Sequence, residues 1–265
     1  MQKTKIEYTD VTWNPITGCL NACPYCYARG IARRFGGYWS YDELRTRGGY
    51  GEIHEIEASM IRHTTGKNRC KPVHNVIAPY PYDFDPTFHR YRLEEPQKIK
   101  SPKTVFVGSM SDMFGKWIPD EWIKAVFDAC AAAPQHRYLF LTKNPARYET
   151  LAGMNAPPNI WLGMTLTSGF TGNTKMRVPS NAKTFISIEP ILDAFLGAGF
   201  KTDWVIIGAE TGNRKGKIIP KRAWIEAILE NCRATETPIF MKNNLADVWG
   251  ESLIQEFPWE DKEAS

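Results

Sequence analysis

The chain has 265 residues, a hydrophobic content of 43% and a formal charge of +4, with a pI of about 8.6. This length is enough for one large α/β domain or two small ones, and the composition is typical of a globular protein with a substantial core. The mild positive charge favours an anionic partner but falls short of the dense basic stripe of a dedicated nucleic-acid binder.

The sequence has no features of a membrane span or an export signal. No apolar run reaches the roughly 18 residues that cross a bilayer, and no apolar h-region follows the N-terminal "MQKTKIEYTD". We therefore expect a cytoplasmic protein without a membrane partner. The six cysteines are only partly clustered, which favours metal binding or catalysis over the disulfide framework of a small secreted protein.

From residue 103 onward, short apolar runs alternate with amphipathic stretches, a pattern typical of βα units that build a parallel sheet. The predicted strands are 11–16, 104–110, 137–143, 159–166, 183–189 and 203–210, with a closing strand at 238–244. The predicted helices are 27–35, 118–133, a short one from about residue 145, and 221–234. The sequence therefore predicts an α/β fold, a partial parallel (β/α)6 barrel that forms a single domain over 1–265.

The segment 36–102 interrupts this alternation. It is rich in Gly, Tyr, Pro and His and has no sustained hydrophobic period. We expect an irregular insertion after the first helix, with a little local helix and a lid-like position.

Three cysteines lie close together in "TGCLNACPYCYARG" (17–30), at Cys19, Cys23 and Cys26. Closed zinc or iron sites commonly use four protein ligands. Candidates for a remote fourth ligand lie in the insertion: His54, His63, Cys70 and His74. Their spacings fit no paired zinc motif, so the alternative is an iron–sulfur cluster with one iron left open for a small molecule.

The spacing C-x3-C-x2-C, between the first predicted strand and the first predicted helix, resembles the radical S-adenosylmethionine (SAM) superfamily. Tyr25 is the aromatic residue that this family usually has before the last cysteine. The resemblance implies a barrel of radical SAM type, in which three thiolates hold a [4Fe-4S] cluster and SAM binds the fourth iron. It also implies a reducing electron donor, such as flavodoxin or ferredoxin, and cleavage of SAM to a 5′-deoxyadenosyl radical.

Polar residues follow the predicted strands at the ends where parallel α/β barrels place their sites. The segment "GSMSDMF" after the second strand resembles the spore photoproduct lyase branch of the family, in which a Ser-Asp pair, a lysine and a small hydroxyl residue contact SAM. The resemblance assigns SAM contacts to Ser109, Ser111, Asp112, Lys143 and Thr165. From the residues alone, Asp112 could instead cap a turn, Lys143 could be a solvated charge, and Thr165 could be an ordinary strand residue.

Two carboxylates, Glu189 and Glu210, end the fifth and sixth predicted strands. A carboxylate at the end of a buried strand is costly unless it faces a polar cavity or finds a partner. Both are therefore candidates for contact with substrate or with the SAM ribose, and each could instead pair with a nearby Arg or Lys. Lys242 ends the last apolar run and could face the same cavity.

The remaining cysteines have other predicted roles. Cys70, in the insertion, is a candidate hydrogen donor, as a cysteine is in the photoproduct lyases. Two cysteines in the predicted amphipathic helices are expected to be small apolar core residues: Cys130 and Cys232.

The order of strand motifs, from "FVGSMSDMF" to "DWVIIGAETG", resembles a phage- and prophage-associated radical SAM group of unknown function. In that group the last strand commonly runs into Lys-Gln-Trp-Gly, whereas "MKNNLADVWG" keeps the lysine and displaces the Trp-Gly. The resemblance and the charge favour a nucleic-acid base or nucleotide as substrate, followed by a small metabolite or amino acid and then a peptide. The alternative from another class is a zinc-stabilised, non-enzymatic nucleic-acid-binding protein.

Overall fold

The structure, a computed structural model, describes residues 1–35, 51–58, 61–64, 74–151, 156–168, 176–195, 200–212 and 214–260, with the backbone alone for 61–64 and 74–77. The strands in these residues are β1 (Gln2–Lys3), β2 (Val11–Trp13), β3 (Ile16–Thr17), β4 (His54–Ile56), β5 (Ile61–Thr64), β6 (His74–Ile77), β7 (Thr87–His89), β8 (Thr104–Val107), β9 (Arg137–Thr142), β10 (Ile160–Leu166), β11 (Lys183–Ile188), β12 (Val205–Ile207) and β13 (Ile239–Met241). The α-helices are α1 (Tyr27–Phe35), α2 (Asp120–Ala131), α3 (Arg147–Thr150), α4 (Arg222–Ala234) and α5 (Ala246–Trp249). None of the helices in these ranges is both long enough and apolar enough to cross a bilayer.

Eight strands form the main sheet, in the order β1-β2-β8-β9-β10-β11-β12-β13. β1 pairs antiparallel with β2, and every other pair is parallel. The parallel strands coincide with the predicted strands, so the prediction of an α/β fold with a largely parallel sheet is confirmed. The sheet is not closed, because β1 and β13 form its two edges and do not pair with each other among the described strands.

The crossovers are less regular than the predicted six βα units. Helices α2, α3 and α4 follow β8, β9 and β12, whereas the described parts of the segments after β10 and β11 contain no helix. The sequence "MRVPSNAK" (176–183) before β11 contains a proline and lacks the apolar period of a helix, which explains the difference there.

The two faces of the sheet bury separate apolar cores. Successive strand residues point to opposite faces, so Val105 and Val107 of β8 pack in a cluster with Trp122 and Val126 of α2, whereas Phe106 belongs to the cluster on the other face. Two helical cysteines are fully buried in the cluster that contains the helices, as predicted: Cys130 and Cys232.

The second cluster, which we call the aromatic core, shows that the sheet curls. Its Tyr8 ring lies 6.2 Å from the ring of Phe106 on β8 and 5.7 Å from the ring of Phe240 on β13, measured between centroids. These strands are five positions apart in the sheet order, a separation of about 24 Å in a flat sheet. The sheet therefore curls around the aromatic core, in the manner of a partial barrel.

The two ends of the chain complete this interior. Residues 3–8 run from the edge pair of β1 with β2 towards β13, where the backbone N–H of Asn243 donates to Glu7 Oε2 over 2.7 Å. Near the C-terminus, Trp259 packs on Trp204 with 5.0 Å between ring centroids, and the Arg137 guanidinium lies 3.9 Å from the Trp259 ring. The aromatic core thus fills the interior at the amino ends of the strands and leaves their carboxyl ends open.

The described part of the segment 36–102 contains more regular structure than the sequence indicates. Its described part contains β4, β5, β6 and β7 besides two single turns of 3-10 helix. β5 pairs antiparallel with β6, while β4 and β7 join β3 in a three-stranded sheet. The expected local helix is present as these two turns, but the described residues also form four short strands and so are not irregular throughout. Strands of three or four residues are too short to leave a periodic pattern in the sequence.

Substitution of Trp204 by Ala tests the role of the aromatic core. Trp204 is fully buried and contacts Tyr8, so we expect the free energy of unfolding to fall by about 3–5 kcal/mol in denaturant titrations. The control is Trp224→Ala on α4, where the side chain is only partly buried. Equal losses for the two variants would contradict the assignment.

A candidate active-site cavity at the strand ends

A cavity of about 690 Å³ lies at the carboxyl ends of the parallel strands. The predicted site residues on its wall are Cys19, Cys23, Tyr25, Cys26, Ser109, Ser111, Asp112, Lys143, Thr165, Glu189, Glu210 and Lys242. The fold thus brings together the cysteine loop and polar residues from six strand ends. Cys70, the remaining candidate, lies outside the described residues.

Backbone N–H groups form two kinds of hydrogen bond in the cysteine loop: one fixes the loop to a neighbouring segment, and others are donated to the cysteine sulfurs. The N–H of Cys19 donates to the carbonyl oxygen of Phe84 over 3.0 Å. The N–H groups of Asn21 and Arg29 point at the Sγ atoms of Cys19 and Cys26, both at 3.4 Å. Hydrogen bonds to sulfur are among the features that tune iron–sulfur clusters.

A glycine allows the start of this loop to pack closely. Gly18 has a φ of +84°, and a Cβ built on it would lie 2.1 Å from the carbonyl oxygen of Asp85. A side chain at this position would therefore meet both backbone strain and a steric clash. The close packing of residues 18 and 85 sets where the first cysteine enters the cavity wall.

The three thiols are free and half-buried. Burial raises the pKa of Cys19 to about 12, and the carboxylate of Asp112 adds to the effect. The thiol is therefore neutral at pH 7 unless a cation binds the thiolate. Across the described residues, no three His, Cys, Asp or Glu side chains converge closely enough to hold a single metal ion.

Asp112 connects the cysteine loop to the ends of β8 and β9. Its Oδ2 accepts hydrogen bonds from Asn21 Nδ2 and from the backbone N–H of Lys143, both at 3.0 Å. Its Oδ1 accepts from Thr142 Oγ1 at 2.6 Å and from the backbone N–H of Phe114 at 3.2 Å. Each carboxylate oxygen therefore already holds two donors of the protein, an arrangement that suits a positioning role better than direct contact with SAM.

Other predicted SAM contacts keep unused polar groups at the cavity. Ser109 Oγ donates to Asn14 Oδ1 over 3.1 Å, but the buried Ser111 Oγ has no hydrogen-bond partner in the described part of the chain. The ammonium group of Lys143 lies 5.9 Å from the centroid of the Tyr25 ring and forms no ion pair with any described residue. Ser111 and Lys143 can therefore bind a polar ligand without breaking a hydrogen bond or ion pair to any described residue.

The two strand-end carboxylates differ in how fully they are paired. Glu210 accepts two hydrogen bonds from Arg214, at 2.6 and 2.8 Å, which hold the pKa of Glu210 below its usual range. Glu189 binds Lys242 through Oε2 alone, at 3.1 Å. Burial raises the pKa of Glu189, and the Lys242 ammonium opposes this shift. Of the two, only Glu189 has an oxygen that accepts no hydrogen bond from a described residue.

Several residues of the cavity wall were not predicted from the sequence: Lys3, Lys5, Tyr8, Asn21 and Tyr27. Asn21 and Tyr27 lie beside the clustered cysteines in the sequence, and this proximity could have predicted their place on the cavity wall. The others reach the cavity because residues 3–8 cross the open side of the sheet, an arrangement that no local sequence pattern indicates.

A family model described as "Protein of unknown function (DUF5131)" matches residues 3–258, which include the whole cavity wall. The chain belongs to this DUF5131 family. No curated protein matches the chain.

Among solved structures, a mutant of spore photoproduct lyase aligns with 91% of this DUF5131 chain, with 12% sequence identity and a TM-score of 0.42. The chain spans 58% of the length of that protein. A TM-score this low does not establish a shared fold, so the function proposed below rests on the chain's own residues.

Substitution of Asp112 by Asn tests its role as a connector. The amide keeps one acceptor oxygen and turns an NH2 group towards protein donors, so we expect a loss of about 1–3 kcal/mol in the free energy of unfolding. Asp193→Asn is the control, because that side chain is exposed and, among the described residues, bonds only to the next backbone N–H. A D112N variant as stable as D193N would disprove the connection.

A second prediction concerns the close packing at Gly18. Gly18→Ala and Gly51→Ala both place a side chain at positive φ, at a strain of about 1–2 kcal/mol, but within the described part of the chain only the first adds a clash with backbone. We expect G18A to lower the thermal midpoint clearly more than G51A does in calorimetry. Equal midpoints for the two variants would show that the cysteine loop can move away from residue 85.

Proposed function

We propose that this chain is a radical SAM enzyme in which Cys19, Cys23 and Cys26 hold a [4Fe-4S] cluster. The observation that carries the proposal is the common cavity wall, where three free thiols meet polar residues from six strand ends. Parallel α/β folds bind their ligands at these ends of the strands.

The donor set fits an open cluster better than a closed zinc site. A structural zinc ion needs four ligands that converge on one point, and the described residues offer no such group. A cubane takes each thiolate on a different iron, so its ligands do not need to converge in this way. Bound there, the cluster and SAM would supply reductive cleavage of SAM and hydrogen abstraction from a substrate.

The chain's own residues then have distinct roles. Lys143 places a positive charge where it can pair with a carboxylate of SAM, and the hydroxyls of Ser111 and Thr165 supply further polar contacts. Asp112 holds the cysteine loop against the strand ends. The aromatic core closes the interior below the cavity and keeps water from entering on that side.

The substrate we propose is a nucleic-acid base or nucleotide. Lys3 and Lys5 lie exposed on the cavity wall and form no ion pair with any described residue, so they can attract a phosphate group. A small metabolite, an amino acid or a peptide is the alternative substrate. Five expectations from the sequence stay predictions. They are a flavodoxin or ferredoxin as electron donor, a cytoplasmic location, a phage association, a single domain and a lid role of the segment 36–102.

The test uses protein reconstituted anaerobically with iron and sulfide and then reduced. We expect a brown protein that contains iron and sulfide and converts SAM to methionine and 5′-deoxyadenosine. Cys23→Ala should lose both the bound iron and the product, whereas the control Cys130→Ala, in α2 and not among the residues of the cavity wall, should retain both.

Two results would contradict the proposal. One is a colourless protein with zinc at one ion per chain and no iron after reconstitution. The other is a Cys23→Ala variant that keeps the iron content and the 5′-deoxyadenosine yield of the unchanged chain.

A further inference from the structure

The ion pair of Glu189 and Lys242 forms across the end of a strand, at a point where the residue between them is the glycine Gly208. Glu189 follows β11 and Lys242 follows β13, and β12 lies between these strands in the sheet. A Cβ built on Gly208, after β12, would lie 3.0 Å from Lys242 Cδ and 3.3 Å from Glu189 Cγ. A side chain at position 208 would therefore crowd both members of the pair, whose Nζ and Oε2 atoms lie 3.1 Å apart.

The ion pair leaves one carboxylate oxygen of Glu189 and N–H groups of Lys242 without hydrogen bonds to described residues, next to each other. Glu189 Oε1 is buried and has no hydrogen-bond partner within the described ranges. Lys242 Nζ carries three N–H groups and donates one of them to Glu189 Oε2. Both side chains line the cavity, so rotation of the Glu189 carboxylate would bring this buried oxygen to a ligand there, beside Lys242 N–H groups that have no other acceptor among the described residues.

If an ion pair served only to hold two strand ends together, we would expect both of its carboxylate oxygens to accept hydrogen bonds from the partner. The neighbouring pair of Glu210 and Arg214 does so, because both carboxylate oxygens accept a hydrogen bond. A buried carboxylate oxygen without a partner costs free energy that a ligand N–H would recover. Glu189 thus combines an oxygen that accepts no hydrogen bond from a described residue with a position on the cavity wall, as a ligand contact would.

We propose that Glu189 and Lys242 bind one edge of the substrate, Glu189 accepting from a ring N–H and Lys242 donating to an adjacent carbonyl oxygen. The class of substrate is a planar heterocyclic lactam, such as a nucleobase that carries a ring N–H beside a carbonyl group. This inference rests on the proposed function and deepens it, since it places the substrate in the same cavity. Paired contacts of this kind are how proteins read the edges of bases.

Two probes that differ at one position test the inference: uridine 5′-monophosphate and its N3-methyl derivative, which lacks the ring N–H. Titration calorimetry on the full chain, before and after cluster reconstitution, measures both affinities. We expect the unmethylated nucleotide to bind about tenfold more tightly or better. Equal affinities, or no binding of either probe, would overturn the inference.

The double variant Glu189→Met with Lys242→Met separates recognition from a structural role. The pair is only partly buried, and replacement of both partners even of a buried ion pair by apolar residues of similar size is often neutral for stability, so the fold should survive. We expect this variant to lose the preference for the unmethylated nucleotide. The control is the exposed pair on α2, changed as Lys124→Met with Asp128→Leu, which should keep the preference.

The same double variant distinguishes substrate from SAM. If it keeps the preference between the two nucleotides but loses affinity for SAM, the pair is a SAM contact and the inference is wrong. Failure of iron binding or of SAM cleavage would instead count against the proposed function, because discrimination between the nucleotides is measured without either.

Discussion

The carboxylate of Asp112 is the contact on which the geometry of the cavity depends. It receives hydrogen bonds from the cysteine loop through Asn21 and from the chain after β8 and β9 through Phe114, Thr142 and Lys143. A buried carboxylate with four donors is held in one orientation. The position of the thiols relative to the strand ends follows from that single group, supported from the other side by the packing of Gly18 on residue 85.

The open side of the sheet determines what else reaches the cavity. Since β1 and β13 do not pair, the backbone leaves a gap that residues 3–8 cross. Tyr8 thereby enters the aromatic core and also lines the cavity, while Lys3 and Lys5 reach its wall. Because the sheet curls without closing, its interior is filled at the amino ends of the strands, and the cavity at their carboxyl ends stays accessible.

The sequence predicted the parallel strands and the convergence of the candidate residues at one edge of the sheet, for a physical reason. Buried parallel strands are continuous apolar runs, and their carboxyl ends meet at one edge, so residues such as Lys143 and Glu189 had to lie close together. Features that depend on tertiary contacts were not predictable: the short strands of the insertion, the saturation of Asp112 by distant donors, and the gap at Gly208. Each depends on which segments meet in space, which local periodicity does not encode.

Electron paramagnetic resonance of the reduced, reconstituted protein, recorded with and without SAM, tests the central claim most directly. If three thiolates hold the cluster and leave one iron for SAM, the cluster signal will change when SAM is added, because its coordination changes. A cluster signal that stays the same in a large excess of SAM would contradict the account.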